Sequence, residues 1–244
     1  MRTSNPALSE RVFQRAGYDS SGVMTVNGTV NKIGILLLLV MVPAAWTWNK
    51  VSTSWEPSMA MGPALLGGLA GFVFAMVTVF KPRWAPVTAP LYAVCEGFFL
   101  GGISAAYNAI PKYQGLPVQA VALTFGTLLM LLLAYRAGLV RATEKFKAGI
   151  VAATMGICFV YVAAWIMSMF GVRMPVLYDA SPLGIGISLF VVVIAALNLV
   201  LDFDFIESGA ELGAPKYMEW YAAFGLMVTL VWLYLEILRL LAKL

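Results

Sequence analysis

The sequence predicts an all-α, polytopic membrane protein with seven transmembrane helices. Three observations carry that prediction. The chain is 61% hydrophobic and only 11% charged, where a soluble domain gives about a quarter of its residues to charge. Its apolar residues gather into runs of about 17 to 25, the length at which a helix crosses the hydrocarbon core. The connections between runs are short, which leaves no room for a second, soluble domain.

Residues 1–30 are polar and mixed in charge, with no apolar stretch of the signal-peptide kind. They read as a cytoplasmic N-terminal segment, with Arg11 and Arg15 in reach of lipid headgroups. Residues 31–244 form the seven-helix transmembrane domain. The first span, 31–48, leads into "WTWNKVSTSW", whose tryptophans suit the membrane–water interface, as does Trp84. The second span, 61–80, carries Gly67 and Gly71 at four-residue spacing. The third, 85–110, carries Gly97, Gly101 and Ala105. Such small-residue faces let helix backbones approach closely in lipid, where apolar burial no longer drives association. The fourth and fifth spans are 117–135 and 148–170. Cys95 and Cys158 fall inside spans, where they pack as small apolar residues. The sixth and seventh spans are 182–201 and 221–241.

The same composition excludes function classes. There is no histidine, which removes Ser-His-Asp triads, His general bases and His-ligated zinc. No phosphate-binding P-loop is present, and no nucleophile–base or metal-ligand constellation suggests an intramembrane hydrolase. The chain is therefore not expected to be an enzyme or to need a cofactor. Its net charge of +4 reflects loop distribution and not a nucleic-acid footprint. With an inside N-terminus, the inner segments hold Arg2, Arg11, Arg15, Lys32, Lys81, Arg83, Arg136, Arg141, Lys145, Lys147 and Lys216. The outer segments hold only Lys50, Lys112, Arg173, Arg239 and Lys243. The positive-inside bias thus favours a cytoplasmic N-terminus.

Carboxylates in or near the spans are the candidate working groups, because an ionisable side chain within lipid is costly. The sixth span turns acidic at "NLVLDFDFIESGAEL". Asp202 is either the wet end of that helix or part of an inward polar stripe, since Asn198 lies one turn before it on the same face. Asp204 points roughly 200° away and, with Glu207 and Glu211, reads as a solvated end residue. Glu96 sits near mid-depth with no basic neighbour, so Glu96 and Asn198 are an additional intramembrane polar site. Glu236 either pairs with Arg239 three positions on or points inward at another acid. Glu219, three positions after Lys216, reads as interfacial.

Asp202 with Ile206, followed by a last span reading "LYLEILRLL" (Leu233, Tyr234, Leu235, Glu236), resembles the Bax inhibitor-1 family, also called the transmembrane Bax-inhibitor-motif family. The opening "MRTSNPAL" and the run "NLVLDFDFIESGAELGAPKYMEWYAAFG" resemble a bacterial branch of it. The resemblance implies six helices around a central seventh, and an inner-membrane location. It also implies a pH-sensitive leak of cations, Ca²⁺ above all, gated by an acidic pair on helices 6 and 7. Carried onto this chain, the pair is Asp202 and Glu236, sharing a proton and holding Ca²⁺ transiently as the permeant ion. Here a glutamate replaces the family's aspartate in the last helix.

The spacing leaves the contact open. If the last helix runs unbroken from Met218, Glu236 lies about 27 Å along it. If the helix starts near Gly225, Glu236 reaches only mid-depth. Two other functions fit the same residues: a non-conducting regulatory protein that binds other membrane proteins, or a proton-coupled transporter using Glu96 and Asp202. The expected partners are the lipid bilayer and other membrane proteins, and no nucleic acid.

Overall fold

A computed structural model describes residues 22–54, 58–172, 174–177 and 179–244. The headgroup reading for Arg11 and Arg15 falls outside these residues. Seven α-helices run as α1 Val26–Ser54, α2 Ser58–Phe80, α3 Ala85–Asn108, α4 Leu116–Arg136, α5 Glu144–Met169, α6 Pro182–Glu211 and α7 Met218–Lys243. Each is long and apolar enough to cross a membrane. Among the described residues there is no strand, only an isolated bridge between Val23 and Pro215.

Local chemistry explains the helix starts. Thr143 caps α5 by accepting the Phe146 N–H, and Ser181 caps α6 by accepting the Gly184 N–H, with Pro182 at the first helical position. The α2–α3 hairpin closes tightly because Gly67 lies against the α3 backbone at Cys95 and Phe99. A Cβ on Gly67 would sit 2.6 Å from the Cys95 carbonyl oxygen. On its other side α3 meets α1 at Gly97 and Gly101, where Cβ atoms would fall 2.4 and 2.6 Å from carbonyl oxygens of Val40 and Ala44. The small-residue spacing is thus spent on helix–helix contact.

The last helix is the core of the bundle. Tyr221, Phe224, Leu226, Met227, Leu233 and Leu238 of α7 are fully buried, and α7 packs directly against α1, α3, α4 and α6. The outlying helices pack at second hand, α2 on α3 and α5 on α6. Alternate ends of an antiparallel bundle face the same side. The starts of α1, α3, α5 and α7 therefore share one end, called here the Glu219 end, and their finishes share the other, the Lys243 end.

Two spans are longer than hydropathy suggests. Helix α1 begins five residues before position 31, at Val26, so the polar run "VNGTV" is helical. Helix α6 continues ten residues past Leu201, through the acidic stretch to Glu211.

Candidate functional site: carboxylates buried in the bundle

Asp202 lies within α6, nine residues and about 13 Å before its end, so it is not the wet terminus of the helix. It is 3% exposed. Its neighbour across the α6–α7 seam is Thr229, near the middle of α7, whose hydroxyl also donates to the Gly225 carbonyl at 3.3 Å. Oδ2 of Asp202 is buried without a hydrogen-bond partner. One turn back on the same face, Asn198 donates to Thr154 Oγ1 of α5 at 2.9 Å and to the Ile194 carbonyl at 2.8 Å. The two residues form a polar stripe on the buried face of α6.

Helix α7 is continuous from Met218, which carries Glu236 toward the Lys243 end. Thr229 precedes Glu236 by two turns, about 10 Å along the axis. At that level Glu236 accepts from Arg239 at 3.1 Å on each oxygen, from Tyr161 of α5 at 3.0 Å and from Trp232 at 3.2 Å. Arg239 also donates to the Tyr161 hydroxyl at 2.7 Å, closing a three-membered ring of polar groups. Asp202 and Glu236 thus sit at different depths with different partners, and no hydrogen bond joins them among the described residues. The unbroken start of α7 at Met218 is the physical reason.

Neither carboxylate is furnished as a resident metal centre. Ca²⁺ takes six to eight oxygen ligands. Asp202 offers its own carboxylate and the Thr229 hydroxyl, while both Glu236 oxygens already accept from cationic or N–H donors. Among the described residues no cluster of three or more His, Cys, Asp or Glu side chains could hold a metal ion. Any cation there would be in passage.

Glu96 lies at mid-depth on α3 and is 8% exposed. It faces Gly71 of α2, where an added Cβ would stand 3.0 Å from Oε1. Tyr92, one turn earlier, faces its carboxylate and packs edge-on against Phe224 of α7 at 5.0 Å. Oε2 has no hydrogen-bond partner. Phe224 and Thr229 are five residues apart, about 140° round the helix, so Glu96 and Asp202 approach α7 from different sides.

The most fully built carboxylate site is one the sequence reading set at the interface. Glu219 is 0% exposed. Its Oε1 accepts from the Thr25 N–H and hydroxyl, both at 3.0 Å, and from Lys216 at 2.8 Å. Lys32 lies 3.0 Å from Oε2 as a charge contact without hydrogen-bond geometry. Thr25 in turn caps α1 by accepting the Gly28 N–H. The loop before α7 holds the same segment by backbone bonds, Met24 N–H to the Ala214 carbonyl and Lys216 N–H to the Gly22 carbonyl. The signals available in the sequence were Lys216 three positions before Glu219, and a threonine three positions before Gly28.

One further pair revises the reading of the acidic stretch. Asp204 is no solvated end residue: it binds Lys147, 2.6 Å away and itself buried at the start of α5. Glu207 is exposed, as expected, and accepts from the Tyr135 hydroxyl at the end of α4. Glu211 is exposed, as expected. At the opposite end Lys243 is buried, donating to Ser188 Oγ and the Gly184 carbonyl in the first turns of α6.

A family model described as Bax inhibitor 1 like matches residues 5–244. No curated protein and no solved structure matches the chain.

Proposed function

Because the chain belongs to the Bax inhibitor 1 like family of membrane proteins, we propose that it is a pH-sensitive cation leak, with Ca²⁺ as the permeant ion. The observation that supports this most is Asp202. A carboxyl group wholly buried at the middle of the bundle, with one oxygen unpartnered, is costly to keep and serves no evident packing need. It stands on the seam between α6 and the central helix, where a small separation would open a polar route past Asn198 and Thr154. Ionised, it attracts a cation; protonated, it does not, so flux rises with pH.

Glu236 takes a different part from the one the family resemblance assigns. It neutralises Arg239 at the Lys243 end of the same seam, so that an entering cation does not meet an uncompensated guanidinium. In a plasma membrane with the Glu219 end cytoplasmic, Glu236 stands toward the outer side and Asp202 deeper in the bundle. The bilayer is the partner, the protein works without a cofactor, and its activity is transport and not catalysis of a reaction. Ca²⁺ entry into proteoliposomes, measured for the wild type, Asp202→Asn and Glu236→Gln from acid to neutral pH, tests the reading.

A second reading has its own support. Lys147–Asp204 and Lys32–Glu219 each tie two helices with paired charges, and the Glu236–Arg239 pair within α7 is hydrogen-bonded to Tyr161 of α5. Such pairs suit a non-conducting bundle that regulates other membrane proteins. Proteoliposomes with no flux above empty vesicles at any pH would favour it.

A further inference from the structure

Helices α1 and α4 lean on α7 from two sides without packing extensively on each other. Between them runs a cleft of about 350 Å³ in the half of the bundle nearer the Lys243 end, floored by α3 and α7. Its walls include Met41 and Ala45 of α1, Val118 and Val121 of α4, and Leu230 and Tyr234 of α7.

Three features decide what it accepts. The lining is almost wholly apolar, and its three hydroxyls are satisfied within the protein. Ser104 donates to the Leu100 carbonyl and shares a 2.6 Å hydrogen bond with Tyr234, and Thr124 donates to the Ala120 carbonyl. None of these hydroxyls calls for water or an ion. The small side chains of Ala44, Ala45 and Gly101 create the depth. Gly101 cannot be larger, because a Cβ would stand 2.6 Å from the Ala44 carbonyl oxygen. The cleft is also continuous with the lipid-facing surface, since the wall residues Met41 and Val118 are 52% and 65% exposed.

We infer that this cleft is a binding site for one acyl chain of a bilayer phospholipid, held against the central helix rather than exchanging with the surrounding lipid. An empty apolar void forfeits dispersion contacts along its whole lining. Within the hydrocarbon band the molecule of matching shape and polarity is an extended acyl chain. Seated there it touches Leu230 and completes the packing of α7 on the face turned away from Asp202. The site is independent of whether the bundle conducts ions.

The test uses the full chain in phosphatidylglycerol vesicles containing a trace of phosphatidylcholine with a mid-chain diazirine. After irradiation, lipid adducts are mapped by peptide mass spectrometry. Met41 in the cleft is compared with Met130 on α4, which is more exposed, at 65%, and does not line the cleft. A held chain labels Met41 about tenfold more than Met130, the ratio of a specific preference. Ala45→Phe and, separately, Val121→Trp fill the cleft and remove that excess while leaving Met130 unchanged. The proposal is overturned by labelling that follows exposure alone, with Met130 at or above Met41. It is equally overturned by an excess at Met41 that survives both filling substitutions, or by capture of a second protein chain at Met41 in place of lipid.

Discussion

Gly28 shows how one residue's size can reverse the usual sign of a substitution. Alanine in a helix interior ordinarily stabilises by roughly 1 kcal/mol over glycine. At position 28 the added Cβ would fall 2.0 Å from Glu219 Oε1, displacing the carboxylate from Thr25 and Lys216. Gly28→Ala therefore destabilises, by roughly 1–3 kcal/mol as for other overpacked sites, read as a lower midpoint of thermal unfolding in detergent. Gly126→Ala, with nothing within 4 Å of its Cβ, is the control and leaves the midpoint unchanged or higher. Equal losses in the two variants would remove the special role assigned to Gly28. Glu219 was illegible as a buried site for a plain reason. Its one local partner, Lys216, suggests a solvated pair, whereas Thr25 lies 194 residues away.

At the level of elements, hydropathy located all seven helices but stopped α6 too soon. Its signal ends at Leu201 because acids follow, yet the backbone continues as helix to Glu211. The continuation is held by side chains from other helices, Lys147 on Asp204 and Tyr135 on Glu207, which no local pattern displays. Lys147→Met therefore destabilises by leaving Asp204 without its counter-ion. Breaking one side of a buried pair costs about 3–5 kcal/mol, and the value here falls below that range because Asp204 is partly exposed. Adding Asp204→Asn to Lys147→Met recovers much of the loss, a coupling that a double-mutant cycle in unfolding free energy measures. Additive losses would show that the two side chains do not act together.

The small-residue faces, by contrast, were legible, because their chemistry is local to each helix and needs only the four-residue period. Gly97→Ala puts a Cβ 2.4 Å from the Val40 carbonyl, backbone that cannot swing aside. It pushes α1 from α3 and lowers the unfolding midpoint further than Gly71→Ala, whose nearest neighbour is the Glu96 carboxylate at 3.0 Å. The reverse order would mean that the α1–α3 seam is less rigid than its geometry implies.

Across the whole molecule, the class and the seven spans could be read from composition and run length, since both follow from what a bilayer demands of any chain. The candidate carboxylates could be named from the sequence too, but not their depths or partners. Asn198 and Asp202 declared their shared face by spacing, but depth was ambiguous until α6 was seen to continue and α7 to start at Met218. Those two boundaries separate Asp202 from Glu236 by about two turns and give them different surroundings, a carboxylate beside a threonine hydroxyl in one case and an ion-paired one in the other. Their substitutions should therefore differ in kind. Glu236→Gln leaves the Arg239 charge uncompensated and depresses cation entry at every pH, with the pH dependence retained. Asp202→Asn removes the group that the proposed leak uses to attract the cation.

The most direct measurement is accordingly Ca²⁺ entry into proteoliposomes of the purified protein, wild type against Asp202→Asn, followed from acid to neutral pH. The wild type should admit more Ca²⁺ as pH rises, and Asp202→Asn should flatten that rise. A flux that keeps its full pH dependence in Asp202→Asn, or no flux from the wild type at all, would contradict the assignment of Asp202 as the control point.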